Sequence, residues 1–228
     1  MKRHLKRMNA PKTWDMKRHG SKWVTRPLPG QSSLELGLPL NLVLRNYLQM
    51  AKTNHEVKYL LNNQEIKVDH TRRKELRFIT GFMDTISIPL LKQNFRMLIN
   101  KKGKLYLIPI TDTESTIKPC KIIGKSLIGK RTQINLYDGK NIFVDKDSYK
   151  VGDSLVLELP SKKIKDILKL DKGSFIFLFK GKHRGDSGVV EKVGKDTLTY
   201  KNKSNDIIQT KKQYAFVIGK DKPVIKIE

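Results

Sequence analysis

The sequence predicts an α+β fold with a predominantly β C-terminal half, and three observations lead there. Apolar residues recur at three- and four-residue spacing chiefly between positions 39 and 61, the mark of short amphipathic helices. Beyond residue 95, short runs such as "KLYLIPI", "QINLY", "SLVLEL", "SFIFLF" and "YAFVIG" follow one another with Gly- or Asp-bearing turns between them, as in small β-barrels. The first 40 residues lack such periodicity and carry Pro11, Pro27, Pro29 and Pro39, so they read as an extension without its own core.

Taken in order, the extension places Trp14 and Trp23 among many cations. Either ring can pin the arm onto the body or stack on an unpaired base. Leu40, Leu44, Tyr47, Leu48 and Ala51 then define a helix with Pro39 in its first turn. Val57, Leu60 and Leu61 define a second, and Asn62 or Asn63 suits a left-handed helix stop. In "EIKVDHTRRK" the period changes to two, with Ile66 and Val68 on one face, so a β-ribbon follows the helices. Further on, "PSKKIKDILKL" predicts one helical interruption, with Ser161 as its cap and Ile164, Ile167 and Leu168 on its apolar face. The expected segments are an extension over 1–40, two helices with a ribbon over 41–94, a central β domain over 95–171 and a C-terminal β domain over 172–228.

Charge points to the partner. The chain of 228 residues has 47 Lys and Arg against 22 Asp and Glu, a net charge of +25, well outside the roughly 2 to 8 that serves solubility in a small domain. The excess is dispersed: +7 over residues 1–40, +8 over 41–110, +3 over 111–171 and +7 over 172–228. A polyanion touched at several separated places explains this better than an enzyme core with one basic tail. Nucleic acid is the first candidate, because each neutralised phosphate releases counterions. An anionic membrane would need a basic amphipathic helix or a lipidation signal, and neither stands out. No apolar stretch follows the charged N-terminus, so a cytoplasmic protein is expected.

Other chemistries find little support. Cys120 is the single cysteine and reads as a small buried hydrophobe, and the five histidines never fall at metal-ligand spacing, so neither metal nor cofactor is implied. "GKSLIGKR" imitates a phosphate-binding P-loop, yet Arg131 stands where Ser or Thr must hold magnesium, and strands rather than a helix are expected after it. Asp84, Asp138 and Asp153 sit in turn-like or ordinary polar contexts, and Asp186 reads as a turn former, so no catalytic set or small-molecule substrate is expected. The cations in reach of RNA are Lys2, Arg3, Lys6, Arg7, Lys12, Lys17 and Arg18 on the arm; Arg45, Lys52, Lys58, Arg72, Arg73 and Lys74 around the helices and ribbon; and Lys180, Lys182, His183 and Arg184 in the glycine-rich loop "GKHRGDSGVV".

Five separated stretches, "HLKRMNAPKTW", "EVKYLLNNQEIKVDHTRRK", "GFMDTISIP", "QINLYDGKN" and "FVIGKDKP", occur in an order that resembles the archaeal and eukaryotic e-type family of small-subunit ribosomal protein four. The resemblance runs end to end. It implies an N-terminal extension, an alpha-L type αα-β RNA-binding domain, a central β-barrel-like domain and a C-terminal SH3-like β-barrel with a KOW motif. It also implies small-subunit ribosomal RNA and neighbouring ribosomal proteins as partners, with no membrane and no enzymatic activity. "GSFIFLFKGKHRGDSGVV" looks like the KOW motif, its glycines permitting positive φ and close backbone approach. One departure concerns the ribbon turn, where Asp69-His70 stands in place of a pattern ending in glycine. Alpha-L domains also occur on RNA-modifying enzymes, and an enzyme or accessory factor of that kind is the alternative reading.

Overall fold

In a computed structural model of the chain, residues 4–129, 131–145, 148–220 and 222–227 are described. Two compact units emerge, Met1–Leu98 with Gly103–Thr116, and Ile99–Lys102 with Ile117–Glu228.

The first unit begins with the pair β1 (Leu5–Lys6) and β2 (Trp23–Val24), followed by β3 (Gly37–Pro39), α1 (Leu40–Leu42), α2 (Asn54–Asn63), β4 (Lys67–Val68) and β5 (Thr71–Arg72). Next come β6 (Ile79–Gly81), β7 (Thr85–Ile88), β8 (Gln93–Ile99), β9 (Leu105–Ile110) and the single turn α3 (Asp112–Ser115). β3 pairs with β6, and the main sheet has the order β5-β4-β7-β8-β9. Pro39 caps α1 rather than entering it, and after Leu42 the helix widens into a π turn over Val43–Tyr47, with Leu48 N–H bonded to Val43 O at 2.9 Å. α2 starts at Thr53, whose hydroxyl accepts Glu56 N–H while the Glu56 carboxylate takes Lys52 N–H at 2.7 Å, a variant of the capping box. Those bonds hold the Glu56 pKa below its ordinary value. The helix ends on extended Gln64, so the left-handed stop expected at Asn62 or Asn63 is not used.

In the second unit β10 (Ile117–Ile128), β11 (Arg131–Leu136), β12 (Asn141–Val144), β13 (Ser154–Glu158) and β14 (Ile164–Leu168) form a sheet of order β12-β11-β10-β13-β14. β15 (Ser174–Leu178), β16 (Ser187–Val193), β17 (Thr197–Asn202), β18 (Ile207–Lys211), β19 (Ala215–Lys220) and β20 (Lys222–Pro223) form another, of order β18-β17-β16-β15-β19-β20. Successive side chains of a strand point to opposite faces, and β13 uses both. Leu155 and Leu157 pack with Cys120, Ile122, Ile134 and Leu136. Val156 instead joins Leu168, Ile176, Leu178, Val190, Leu198 and Val217. One core therefore takes side chains from β13 and β14 as well as from β15, β16, β17 and β19.

One further expectation is corrected. The helix expected after Ser161 is the strand β14: its pairing slips between Val156 and Leu157, leaving Lys165 unpaired, so Ile164 and Ile167 share a face. A bulge of this kind reproduces helical three-residue spacing in an extended chain. The arm is anchored at Thr13 and Trp14: Trp14 is fully buried, and Leu105 N–H bonds Thr13 O at 2.8 Å.

Candidate nucleic-acid interface

The ribbon turn sets the geometry of the first cluster. β4 and β5 are joined by two residues, Asp69 and His70, with φ of 50° and 57°. Positive φ at both central positions is the type I′ turn that suits hairpin twist. The cost of placing His there is offset by its surroundings. Asp69 Oδ1 accepts Thr85 N–H at 3.2 Å, and His70 Nε2 lies 3.1 Å from Ser115 O. Beyond the turn, Arg72 is exposed and donates to Asn62 O at the end of α2 (2.8 Å), and Lys74 is exposed. Arg73 is half-buried, its guanidinium 4.4 Å from the Phe78 ring centre.

α2 turns Val57 and Leu61 to the core, which leaves Lys58 in solvent, with Lys52 exposed just before the helix. Arg45 is half-buried and spends its donors on Lys52 O (3.1 Å) and Asn54 Oδ1 (2.7 Å). This cluster thus has four exposed cations, Lys52, Lys58, Arg72 and Lys74, while Arg45 and Arg73 hold local structure. Tyr59, 64 % exposed beside Lys58, is an aromatic surface that the sequence reading missed. Its only signal was position: it falls off the Val57–Leu61 stripe.

On the arm, Lys2 and Arg3 lie outside the described residues. Lys6, Lys12 and Lys17 are exposed. Arg7 and Arg18 have internal work: Arg7 donates to Lys17 O, Ser21 O and Ser21 Oγ, and Arg18 to Ala10 O and Pro11 O. The two tryptophans differ in their surroundings. Trp14 pins the arm, donating through Nε1 to Gly37 O (3.0 Å) and Leu34 O (3.2 Å). Trp23 is 47 % exposed, with the His4 ring 5.2 Å away and Lys22 Nζ 5.3 Å from its centre.

In the second unit, "GKHRGDSGVV" spans the end of the connection between β15 and β16 and the first residues of β16. Gly181 and Gly185 have φ of +89° and +86°, and a Cβ on Gly185 would overlap the Asn100 carbonyl. Lys180, Lys182 and His183 are exposed, and Arg184 is half-buried. Asp186 is buried, accepting Ser187 N–H and the Tyr200 hydroxyl, both at 3.0 Å. Burial, reinforced by that carboxylate, pushes the Tyr200 pKa up. Here Asp186 organises the loop.

The acids weighed from the sequence are likewise occupied. Asp138 is buried between Lys118 Nζ at 3.4 Å and Lys140 Nζ at 2.9 Å. Burial alone would raise its pKa, but the two ammonium groups outweigh that and keep it below the ordinary carboxylate value. Asp153 accepts Lys150 N–H and Leu170 N–H, and Asp84 accepts Gly81 N–H. The described residues of "GKSLIGKR" lie on the paired strands β10 and β11 and at Gly129, with φ +61°, so no helix N-terminus stands there to face a phosphate. Among the described residues no group of His, Cys, Asp and Glu could hold a metal ion, and no helix is long and apolar enough to cross a membrane.

Residues 1–31 match the RS4NT (NUC023) domain and residues 91–164 match the Ribosomal family S4e. The small ribosomal subunit protein eS4 of Methanosphaera stadtmanae is 40% identical over 99% of this chain and 96% of its own. The chain belongs to the S4e family. A second S4e relative, from Methanocella arvoryzae, is 39% identical over 98% of this chain and 97% of its own. The crystal structure of the 30S ribosomal protein S4e from Thermoplasma acidophilum superposes with a TM-score of 0.69 at 29% identity, over 81% of this chain and 95% of that one. The mixed α+β architecture, strand-rich with few helices, is therefore an S4e architecture.

Proposed function

We propose that this S4e chain is a structural constituent of the small ribosomal subunit, ribosome-bound in the cytoplasm, where it binds ribosomal RNA beside neighbouring ribosomal proteins. It is not an enzyme, in keeping with its family. The observation that carries the reading is near-full-length similarity to small-subunit proteins combined with a charge of +25 spread along the chain. In this reading α2 with the β4–β5 ribbon is the alpha-L type element, and the β15–β16 connection is the KOW element of an SH3-like barrel. The segments 1–40, 41–94, 95–171 and 172–228 act as successive RNA-contacting stretches.

Lys6, Lys12, Lys17, Lys52, Lys58, Arg72, Lys74, Lys180, Lys182 and His183 supply the phosphate contacts that their exposure supports, and the half-buried Arg184 adds one from the same loop. Lys2 and Arg3 extend the set at the start of the arm. Trp23 and Tyr59 offer ring faces on which unpaired bases stack, each worth about 1 to 3 kcal/mol by alanine substitution. Structured RNA is bound in this way through shape, phosphates and 2′-hydroxyls more than through sequence.

Filter binding of the full chain to small-subunit ribosomal RNA across a salt series tests the reading. Each phosphate contact contributes about 0.7 to 0.9 to the log-log slope, so a slope of about −5 or steeper is expected. A slope near −1, or failure to co-sediment with the small subunit at moderate salt, would overturn it.

A further inference from the structure

The loop between β16 and β17, the end of β18, the residues just after β15 and part of β10 line an open cleft of about 720 Å³ within the second unit. Five lysines line it, Lys121, Lys180, Lys195, Lys211 and Lys212, against one carboxylate, Asp196. Lys121 has no donor to spare, since its ammonium bonds the Lys212, Gln213 and Ala215 carbonyls at 3.3, 2.8 and 2.6 Å. The other four make no ion pair with a described carboxylate. The field they create is felt within the fold: burial first, then Lys180 and Lys212, draw the Lys121 pKa down from 10.5 to about 8. Converging like charges in a concave site raise the local potential and cost stability until an anion enters. The cleft falls within the usual range of about 300 to 1,000 Å³ for a small-molecule-sized ligand. Its remaining wall includes the rings of Tyr137 and Phe179 and the apolar Ile123 and Val151.

We infer that this cleft is an RNA-binding site that takes a nucleotide of the RNA chain, with Lys195, Lys211 and Lys212 on its phosphates and the apolar wall against ribose or base. The inference rests on the ribosomal RNA reading above and adds a site that the exposed loop 180–184 does not supply. The test compares the full wild-type chain with Lys195→Gln/Lys211→Gln/Lys212→Gln and with a charge-matched control, Lys163→Gln/Lys165→Gln/Lys169→Gln, whose side chains lie outside the cleft. The readouts are filter binding to small-subunit ribosomal RNA over a salt series and thermal unfolding of the free proteins. The cleft variant is expected to lose at least tenfold in affinity and flatten the slope by about two to three units, with no fall in melting temperature, while the control loses less than threefold. Equal losses in the two variants, or a cleft variant that binds like wild type, would overturn the inference while wild-type binding keeps the broader reading intact. A wild-type chain that fails to bind would sink both.

Discussion

Replacing Trp14 separates a structural ring from an RNA-stacking one. The side chain is fully buried, its Nε1–H is shared by the Leu34 and Gly37 carbonyls, and its own carbonyl accepts from Lys104 Nζ at 3.3 Å. Truncation of a buried Trp to Ala costs about 3 to 5 kcal/mol, a large share of a domain stability of about 5 to 15 kcal/mol. Trp14→Phe keeps most of the apolar body but strips a donor from two carbonyls, at about 1 to 3 kcal/mol. Urea unfolding of the free protein, followed by far-UV circular dichroism, should show that order, Ala worse than Phe. Amide exchange should rise at 10–14 and 34–38 in the Ala variant. Trp23 supplies the internal comparison, because Trp23→Ala should leave the transition of the free protein within about 0.5 kcal/mol, as surface changes do, and weaken RNA binding. A Trp14→Ala protein that unfolds like wild type yet binds RNA poorly would refute the packing argument.

Other outcomes follow from the same geometry. Arg72→Gln with Lys74→Gln should weaken ribosomal RNA binding and flatten the salt slope by about one unit per lost contact; Arg73→Ala should instead lower the melting temperature, since its guanidinium covers Phe78. Gly185→Val should raise amide exchange across residues 174–192 as well as weaken binding, because φ is +86° and a Cβ meets Asn100; Arg184→Ala should affect binding alone, and matching exchange patterns would show the roles wrongly divided. Lys121 has a pH signature: its folded pKa lies below its unfolded value, so the unfolded chain binds the extra proton between pH about 8 and 10.5. Stability must then rise with pH across that window, by about 3 kcal/mol from this group. The rise should be smaller by that amount in Lys121→Met, and parallel pH profiles for the two proteins would disprove it.

The sequence alone determined what depends on local spacing and on total charge. Period two in "SLVLEL", "QINLY" and "SFIFLF" reports which side chains leave the same face of an extended chain, so β11, β13 and β15 were legible, as was α2 from Val57 and Leu61. The excess of cations pointed to a polyanion because charge needs no fold to be counted. Tertiary structure decided everything that depends on what lies opposite. Ile164 and Ile167 are spaced as on a helix, and only the slipped pairing with β13 makes them a strand. Asp69-His70 has no glycine, yet bonds from Thr85 and near Ser115 hold both residues at positive φ. Arg7, Arg18, Arg45 and Arg73 look like the other cations in the sequence, and only the fold sets carbonyls, an amide and a ring against them. Lys195 and Lys211 lie sixteen positions apart, and the antiparallel pairing of β17 with β18, Thr197 opposite Lys211, brings them to one cleft. Composition supplies the number of cations, whereas strand register and the local supply of unpaired carbonyls determine which of them remain available to a phosphate.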